Sequence, residues 1–220
     1  MDIQDRQLDR VEADIRNMIV LLSREVEKAL QVAIDCLLGC DLETARFIVS
    51  NDQKINKLQR SIEEACVTTI ARQQPMAKDL RDLISEIAIA SELERIGDHA
   101  AGIAETILQM NAKPHPDFVG SIESMGQECV NMLSGVIRAY KIMDADMARN
   151  IASQDAQIDS GERRVVTTVL DHMCDHPQDI EAGTHALWIV HSIERVADRV
   201  TNIAERIVYM VSGEMVDLNT

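Results

Sequence analysis

Two segments of the sequence carry the same set of carboxylates at helical spacing. Residues four apart on a helix are neighbours, and residues eleven apart are separated by close to three whole turns. The three carboxylates of each set should therefore lie within about 40° of one another around the helix. The two sets are Glu94, Asp98 and Glu105, and Glu194, Asp198 and Glu205.

A further segment in each half adds oxygen donors at the same spacing. Two adjacent helices would present about four to six oxygen ligands to one groove, where like charges repel unless a cation lies among them. Such a set favours hard or borderline divalent or trivalent ions: Mg, Ca, Mn or Fe, with Zn or Ni also possible. We therefore expect one metal cluster in each half. The added donors are Asp52, Asn56, Gln59 and Glu63, and Asp155, Asp159 and Glu162.

A second interpretation of these acidic faces needs no metal. Arg95 and Arg195 adjoin the carboxylates in sequence and can neutralise them as solvated ion pairs. Both interpretations stay open on the sequence alone. If metal binds, His191 can add a ligand to the second cluster, since it lies one turn before Glu194. The histidines expected near helix ends, in capping or exposed positions, are His115, His172, His176 and His185.

Prolines and capping residues divide the chain into helices that would position these donors. No stretch shows the strict alternation of a half-buried strand, so the fold class is all-α. Helices of about 30 residues joined by short connections indicate antiparallel bundles. The six predicted helices span 4–38, 42–72, 77–111, 118–142, 145–175 and 178–211.

An apolar stripe lies nearly opposite each acidic line, which predicts that the carboxylates face outward from a packed core. Gly97 and Gly102 flank the first acidic line. Glycine inside a helix costs about 1 kcal/mol relative to alanine, so its presence suggests a close approach to the backbone. The stripes are Ile89, Leu93, Ile96, Ala100, Ile103 and Ile107, and Ile189, Ile193, Val196, Val200, Ile203 and Ile207.

The second half of the chain repeats the first. Residues 41–56 align without gaps on 144–159, and residues 91–108 align on 191–208. Two matches in the same order indicate a duplication that accounts for essentially the whole chain. We therefore predict two tandem three-helix bundles, residues 1–113 and residues 114–220, with a boundary near Lys113–Pro116.

Composition limits the possible partners and location. The net charge of -15 argues against nucleic acid, whose binding needs Lys and Arg, and favours cations or basic protein surfaces. The N-terminal segment has no apolar run typical of a signal peptide, and no apolar run is long enough to span a bilayer. We therefore expect a cytoplasmic protein that meets a membrane only indirectly, through a partner.

Enzymatic alternatives find little support in the motifs. A ferritin-like di-iron carboxylate enzyme needs paired Glu-x-x-His motifs facing a four-helix core, and the sequence contains none. There is also no Gly-rich phosphate loop, no G-x-S-x-G and no H-E-x-x-H. We predict that the chain is not an enzyme. A metal-free acidic helical adaptor is the remaining alternative to a metal-binding regulator.

The combined motifs resemble the PhoU family of phosphate-signalling regulators. The matching features are ELERIGDHAAGIAE and its second copy IERVADRVTNIAE, the segments NDQKIN and QDAQID, and the stretch IARQQPMAKDLRDL. The resemblance covers essentially the whole chain and implies two three-helix bundles, each with a metal cluster. It also implies negative control of phosphate uptake through a phosphate ABC transporter and a sensor histidine kinase.

The resemblance also assigns ligand positions. Asn56 departs from the acidic form of the motif, so the first cluster is expected to bind fewer or weaker ions. A homodimer is expected, although no exposed patch identifies its interface. The ligands implied by position are Asp52, Glu94 and Asp98 in the first half, and Asp155, Asp159, Glu194 and Asp198 in the second.

Overall fold

The computed structural model describes residues 3–39, 41–110 and 115–218, and over these residues it contains helices and no strand. The all-α prediction is confirmed. A short 3-10 turn, Pro177–Asp179, precedes the last helix. The helices are α1 (Ile3–Gly39), α2 (Leu42–Gln73), α3 (Lys78–Gln109), α4 (Pro116–Ile142), α5 (Ala145–Ala152), α6 (Asp155–Asp175) and α7 (Ile180–Ser212).

Capping side chains and turns set the helix boundaries near the positions that the sequence predicts. The Asp41 carboxylate accepts hydrogen bonds from the backbone N–H groups of Glu43 and Thr44, and so caps α2. Asp144 caps α5 in the equivalent way, by accepting from the N–H of Met147. Between α2 and α3, the chain turns around Pro75.

The fifth predicted helix, 145–175, is broken into α5 and α6. At the break, the N–H of Gln154 donates to the carbonyl of Ile151, and the Ser153 hydroxyl donates to the carbonyl of Asn150. These tighter local bonds interrupt the regular helical ladder. As a result, α6 begins at Asp155, one of the predicted ligands.

Helices α1, α2 and α3 pack together, and α4 packs against α5, α6 and α7. Together α5 and α6 take the place of α2 in the second bundle. Both predicted apolar stripes are buried, each residue being at most 1% exposed. Burial of such side chains stabilises the fold by about 1.5–3 kcal/mol each. The two bundles share one hydrophobic core, because α3 packs against α7 and α1 packs against α4.

Two contacts between the bundles depend on particular side chains. A Cβ added at Gly126 of α4 would lie 2.5 Å from Ile34 Cδ1 of α1, so this glycine permits the close approach of the two helices. Further along, the Tyr140 hydroxyl of α4 donates to Glu86 Oε1 of α3 at 3.3 Å. Arg16 of α1 contacts the same carboxylate at 3.4 Å.

The predicted boundary near Lys113–Pro116 falls partly outside the described residues, which do not include 111–114. The division into residues 1–113 and 114–220 therefore stays a prediction. Among the helices described, none is both long enough and apolar enough to cross a membrane.

Candidate metal centres

The first cluster lies on the surface between α2 and α3. Gly97 of α3 faces α2, where an added Cβ would lie 3.0 Å from Ile55 Cγ2. The close approach expected at this glycine is therefore made by α2 itself. At Gly102, an added Cβ would meet nothing within 4 Å. Because α2 lies close to α3 here, its polar residues on either side of Ile55 come near the acidic line of α3.

Four predicted ligands come together at this first cluster. Asp52 and Asn56 of α2 are half-buried, as is Glu94 of α3, whereas Asp98 is exposed. The Asn56 amide donates to Asp52 Oδ2 at 2.9 Å. Asp52 Oδ1 and Asn56 Oδ1 are buried and accept no hydrogen bond. Buried oxygens without a donor are costly, and a bound cation would satisfy them.

The electrostatics of the first cluster reflect its crowding. Partial burial, followed by the neighbouring charges of Asp98 and Asp52, raises the pKa of Glu94. Partial loss of hydration beside α2, followed by the charge of Asp52, likewise raises the pKa of Asp98. Arg95 opposes both shifts. The carboxylates therefore repel one another despite the arginine, and a cation would relieve that repulsion.

The second cluster is formed by α6 and α7. Asp155, Asp159, Glu194 and Asp198 are all half-buried there. Burial and the charges of Asp159 and Asp198 raise the pKa of Asp155 to about 6. Its Oδ1 atom is buried and accepts no hydrogen bond. Like the first cluster, this group of four acids therefore contains a buried side-chain oxygen that has no hydrogen-bond donor.

Glu162 and His191 extend the second cluster. His191 Nδ1 lies 3.6 Å from Glu162 Oε1 and 3.6 Å from Glu194 Oε2. One ligand atom from each of the three side chains lies within 4.8 Å of the other two. Such a spacing suits a single ion with mixed oxygen and nitrogen ligands. The sequence placed Glu162 and His191 near this cluster, and their mutual contact emerges only in the structure.

Arg195 already neutralises part of the second cluster. Its Nε atom lies 3.0 Å from Glu194 Oε2, and its Nη1 atom donates to Asp198 Oδ2 at 2.9 Å. Burial and the charge of Asp198 nevertheless raise the pKa of Glu194. One arginine therefore does not compensate all the acids of this cluster. An incoming cation would compete with the guanidinium for the same oxygens.

Glu105 and Glu205 are not brought into the clusters. Each lies seven residues beyond the aspartate of its set, about 10 Å along the helix axis. Glu105 is exposed. Glu205 Oε1 accepts a hydrogen bond from the backbone N–H of Leu218 at 2.9 Å, and so ties the C-terminal segment to α7. Helical periodicity places Glu105 and Glu205 on the same side of the helix as the other carboxylates, but too far along the axis to join them.

Three histidines form a group that the sequence did not indicate. The rings of His115 and His172 lie 4.2 Å apart, and those of His172 and His176 lie 4.5 Å apart. The expectation of plain exposure or capping is wrong for His172 and for His185, which are 8% and 7% exposed. The four-residue spacing of His172 and His176 was visible in the sequence, but the approach of His115 from α4 was not.

Comparison with known proteins identifies the family. A family model described as the PhoU domain matches the chain twice, over residues 19–107 and 122–207. The phosphate-specific transport system accessory protein PhoU of Serratia marcescens is 37% identical over 201 residues, covering 91% of this chain and 83% of that protein. The PhoU homologue of Streptococcus pneumoniae is 36% identical over 215 residues and covers 98% of both chains.

Solved structures agree with these sequence matches. The crystal structure of the phosphate transport system regulatory protein PhoU from Streptococcus pneumoniae superposes with a TM-score of 0.90 at 33% identity, covering 96% of this chain and 99% of that one. PhoU from Pseudomonas aeruginosa gives a TM-score of 0.91 at 30% identity, covering 94% and 99%. These relatives are accessory and regulatory proteins, which confirms the prediction that the chain is not an enzyme. The twofold domain match, the identity over most of the length and the shared fold show that the chain belongs to the PhoU family.

Proposed function

We propose that this protein is a metal-binding regulator of phosphate transport. The observation that carries the proposal is the match over 98% of both chains to a relative named as a phosphate-specific transport system accessory protein homologue. A role beside a phosphate transporter follows from that name. The finer proposal is negative regulation in the cytoplasm, in which a homodimer holds phosphate uptake and the starvation response down when phosphate is plentiful.

The two acidic clusters are the proposed metal sites. In the first, Asp52, Asn56, Glu94 and Asp98 would supply oxygen ligands, and the buried oxygens of Asp52 and Asn56 that lack a donor fit this role. In the second, the proposed ligands are Asp155, Asp159, Glu194 and Asp198, with Glu162 and His191 beside them. The imidazole favours a borderline ion such as Fe, Zn or Ni at the second cluster, whereas Mg, Ca or Mn suits the oxygen ligands of the first.

Metal loading would control docking through surface charge. Without an ion, each cluster presents carboxylates that attract basic surfaces. A bound divalent or trivalent ion cancels or reverses that charge, and so alters which partner surface is attracted. The proposed partners are a phosphate ABC transporter and a sensor histidine kinase. Contact with the membrane would be indirect, through the transporter.

Metal content tests the proposed ligands. The double variant Glu194→Gln/Asp198→Asn should lose the metal of the second cluster and keep that of the first. Glu105→Gln, an exposed carboxylate outside the clusters, is the control and should keep full stoichiometry. Element analysis after purification without chelators gives the stoichiometry. A double variant with unchanged metal content would exclude these residues as ligands.

Gene deletion tests the regulatory role. Deletion should switch on phosphate-starvation genes in phosphate-rich medium, and the wild-type gene should silence them again. The double variant supplied in place of the wild type should silence them only partly, because its second cluster lacks the ion. A deletion strain with normal repression would count against the regulatory role, whatever the metal content of the protein.

A metal-free acidic adaptor is the second candidate. The observation that favours it is the pairing of Arg195 with Glu194 and Asp198, which supplies a positive charge without any ion. In that case, protein purified without chelators should hold no stoichiometric metal, and chelation should leave its melting temperature unchanged. The metal-binding proposal expects the opposite, because an ion that binds only the folded state raises its stability.

A further inference from the structure

A pocket of about 290 Å³ lies between α4 and α6, and the proposed metal ligands are not among its lining residues. Its floor is apolar and buried, and consists of Phe118, Met125 and Val165. Its rim is exposed and carries hydroxyl, guanidinium and carboxylate groups. An apolar surface with a few polar groups is typical of ligand pockets, whose volumes begin at about 300 Å³. The pocket therefore suits a small molecule.

The first bundle provides an internal reference for this pocket. The repeat alignment of residues 144–159 on 41–56 continues without a gap through α6, and α4 aligns on α1 in the same register. Burial supports this register, because equivalent positions are buried in both bundles. Examples of such pairs are Val165 and Ile62, Val169 and Cys66, Phe118 and Ile15, and Met125 and Leu22.

The residues that border the pocket differ between the two bundles. Leu58 of α2 packs against the hydrophobic core, and Gly161 takes its place in α6. The missing side chain lets Met125 lie against the α6 backbone, where an added Cβ would be 3.0 Å from Met125 Cγ. The other replacements, from the first bundle to the second, are Met18 to Ser121, Leu21 to Ser124, Ala65 to Thr168 and Ser61 to Arg164.

These replacements exchange apolar packing for polar groups. Four apolar side chains of the first bundle give way to a glycine or to a residue with a hydroxyl group, and a fifth position gains a guanidinium. The first bundle packs the same framework without these polar groups, so the fold does not require them. Burial of apolar surface between helices would stabilise the fold by about 25 cal/mol per Å². The polar rim therefore indicates a role other than packing.

The packing of α4 against α6 fixes where the charged groups of the rim lie. The ring centroids of Phe118 and His172 lie 5.7 Å apart, and Met125 lies beside Gly161, so the two helices run antiparallel. The two charged residues lie one turn from the contact of Met125 with Gly161, in opposite directions, and are about 9 Å apart along the helix axes. The groups at one end are Arg164, Ser121 and Ser124, and the group at the other end is Glu128.

The end that contains Arg164 is suited to an oxyanion. A guanidinium presents paired N–H donors that match the oxygens of a phosphate or a carboxylate, and hydroxyl groups can add further donors. Ser121 and Ser124 are placed to supply them. The Thr168 hydroxyl is not, because it donates to the backbone carbonyl of Arg164 at 3.0 Å. Glu128 would repel a second anionic group and would accept a hydrogen bond from a hydroxyl or amine of the ligand.

We propose that the pocket between α4 and α6 binds a small organic oxyanion, a phosphate ester or a carboxylate. Its anionic group contacts Arg164, and its apolar body lies over Met125 and Val165. The apolar floor distinguishes such a ligand from a free inorganic anion, which would leave the floor uncovered. This inference goes beyond the proposed metal-dependent regulation and rests on none of the metal ligands.

The experiment uses the full-length protein after removal of both metal and chelator, because an ion in the acidic clusters would itself bind the probes. Phenyl phosphate and benzoate are the two probes, and they place the same ring on a phosphate ester or a carboxylate. Benzyl alcohol supplies the ring without the charge, and inorganic phosphate supplies the charge without the ring. The ¹³C-methyl resonance of Met125, identified by its loss in Met125→Leu, reports binding in the pocket.

At least one of the two probes should shift the Met125 resonance with a Kd of about 1 mM, as expected for ligands of this size. The probe that binds more tightly shows whether the pocket prefers a phosphate ester or a carboxylate. Benzyl alcohol and inorganic phosphate should bind at least about tenfold more weakly, because each lacks one of the two contacts.

Three variants assign the contacts. Arg164→Gln should weaken binding of the probe at least about tenfold, through the loss of charged hydrogen bonds. Ser121→Met/Ser124→Leu places the residues of the first bundle on the exposed rim and should abolish the Met125 shift. Arg138→Gln changes an exposed arginine of α4 outside the pocket, and this control should bind as the wild type does.

The proposal is overturned if neither probe shifts the Met125 resonance at about 10 mM, ten times the expected Kd. Unchanged affinity in Arg164→Gln would also overturn it, as would equally tight binding of benzyl alcohol or inorganic phosphate. Melting temperatures of the variants separate a loss of binding from a loss of the fold. All these results come from metal-free protein, so failure here leaves the proposed function untouched.

Discussion

Arg195 Nη1 donates a hydrogen bond to Asp198 Oδ2 at 2.9 Å, across one turn of α7. The same guanidinium lies 3.0 Å from Glu194 Oε2. Arg195 thus contacts both carboxylates of the motif that recurs in the two halves of the chain. A guanidinium and a metal ion are alternative counter-charges for those oxygens, so one must withdraw, at least in part, when the other binds.

Replacement of Arg195 by Gln should therefore strengthen metal binding. Because the ion pair is partly exposed, its loss is worth up to about 1 kcal/mol, and the affinity of the second cluster should rise up to about fivefold. Isothermal titration calorimetry with Mn²⁺ measures this change. Arg149→Gln breaks an i,i+3 ion pair with Asp146, outside both clusters, and should leave the affinity as it is. A weaker affinity in Arg195→Gln would mean that the arginine supports the ion instead of competing with it.

Metal binding at the second cluster should also depend on pH through Asp155. Its folded pKa is raised to about 6, and the ion requires the deprotonated carboxylate. Affinity should therefore fall as the pH is lowered through about 6. Asp155→Asn should bind more weakly at neutral pH and lose this part of the pH dependence. Titrations between pH 5 and pH 7.5, read against an identical series for Glu105→Gln, provide the measurement. If the affinity of the wild type does not change across this pH range, Asp155 is not a ligand.

Much of the fold could be predicted from local sequence. Every residue of the two apolar stripes is buried, and Asp41 and Asp144 cap helices where breaks were expected. The break before Asp155 was not predictable in the same way. Ser153 and Gln154 keep right-handed helical dihedral angles, and neither is a proline or a glycine. Only the pattern of hydrogen bonds separates α5 from α6.

The candidate sites were predictable where a single helix decides them. Glu94 with Asp98, and Glu194 with Asp198, lie together because one helical turn joins each pair. The position of Glu205 was not predictable, because its backbone partner, Leu218, belongs to the C-terminal segment. The histidine group was missed for the same reason, since His115 meets His172 only through tertiary packing.

The two glycines beside the first acidic line should respond in opposite ways to alanine. Gly97→Ala adds a methyl group 3.0 Å from Ile55 Cγ2, so α2 and α3 must separate or Ile55 must repack, at a cost of about 1–3 kcal/mol. Gly102→Ala meets nothing within 4 Å and should stabilise α3 by about 0.5–1 kcal/mol. Urea denaturation measures both. Equal effects at the two positions would show that Ile55 does not limit the approach of α2.

Glu86 of α3 is a deeply buried carboxyl group whose pKa is strongly raised. Its side chain is 1% exposed, and burial raises its pKa to about 7, an effect that Arg16 and the Tyr140 hydroxyl only partly oppose. Glu86 Oε2 is buried and has no hydrogen-bond partner, so nothing at that atom stabilises the charged form of the carboxyl group. The charge of Glu12 of α1 also raises the pKa of Glu86, and the charge of Glu86 in turn raises the pKa of the Cys66 thiol of α2.

Glu86→Gln should therefore flatten the dependence of folding stability on pH. In the wild type the folded pKa of Glu86 lies above its unfolded value of 4.5, so its contribution is fully present below pH 4.5 and is lost as the pH rises through about 7. The loss is on the order of 3 kcal/mol across that window. Gln keeps an oxygen that accepts from Tyr140 but cannot ionise. Urea unfolding of metal-free protein from pH 5 to pH 8 gives the slope, with Glu123→Gln as a control at a half-buried position of α4. An equally steep loss of stability in Glu86→Gln would assign the pH dependence to other groups, with Asp155 first among them.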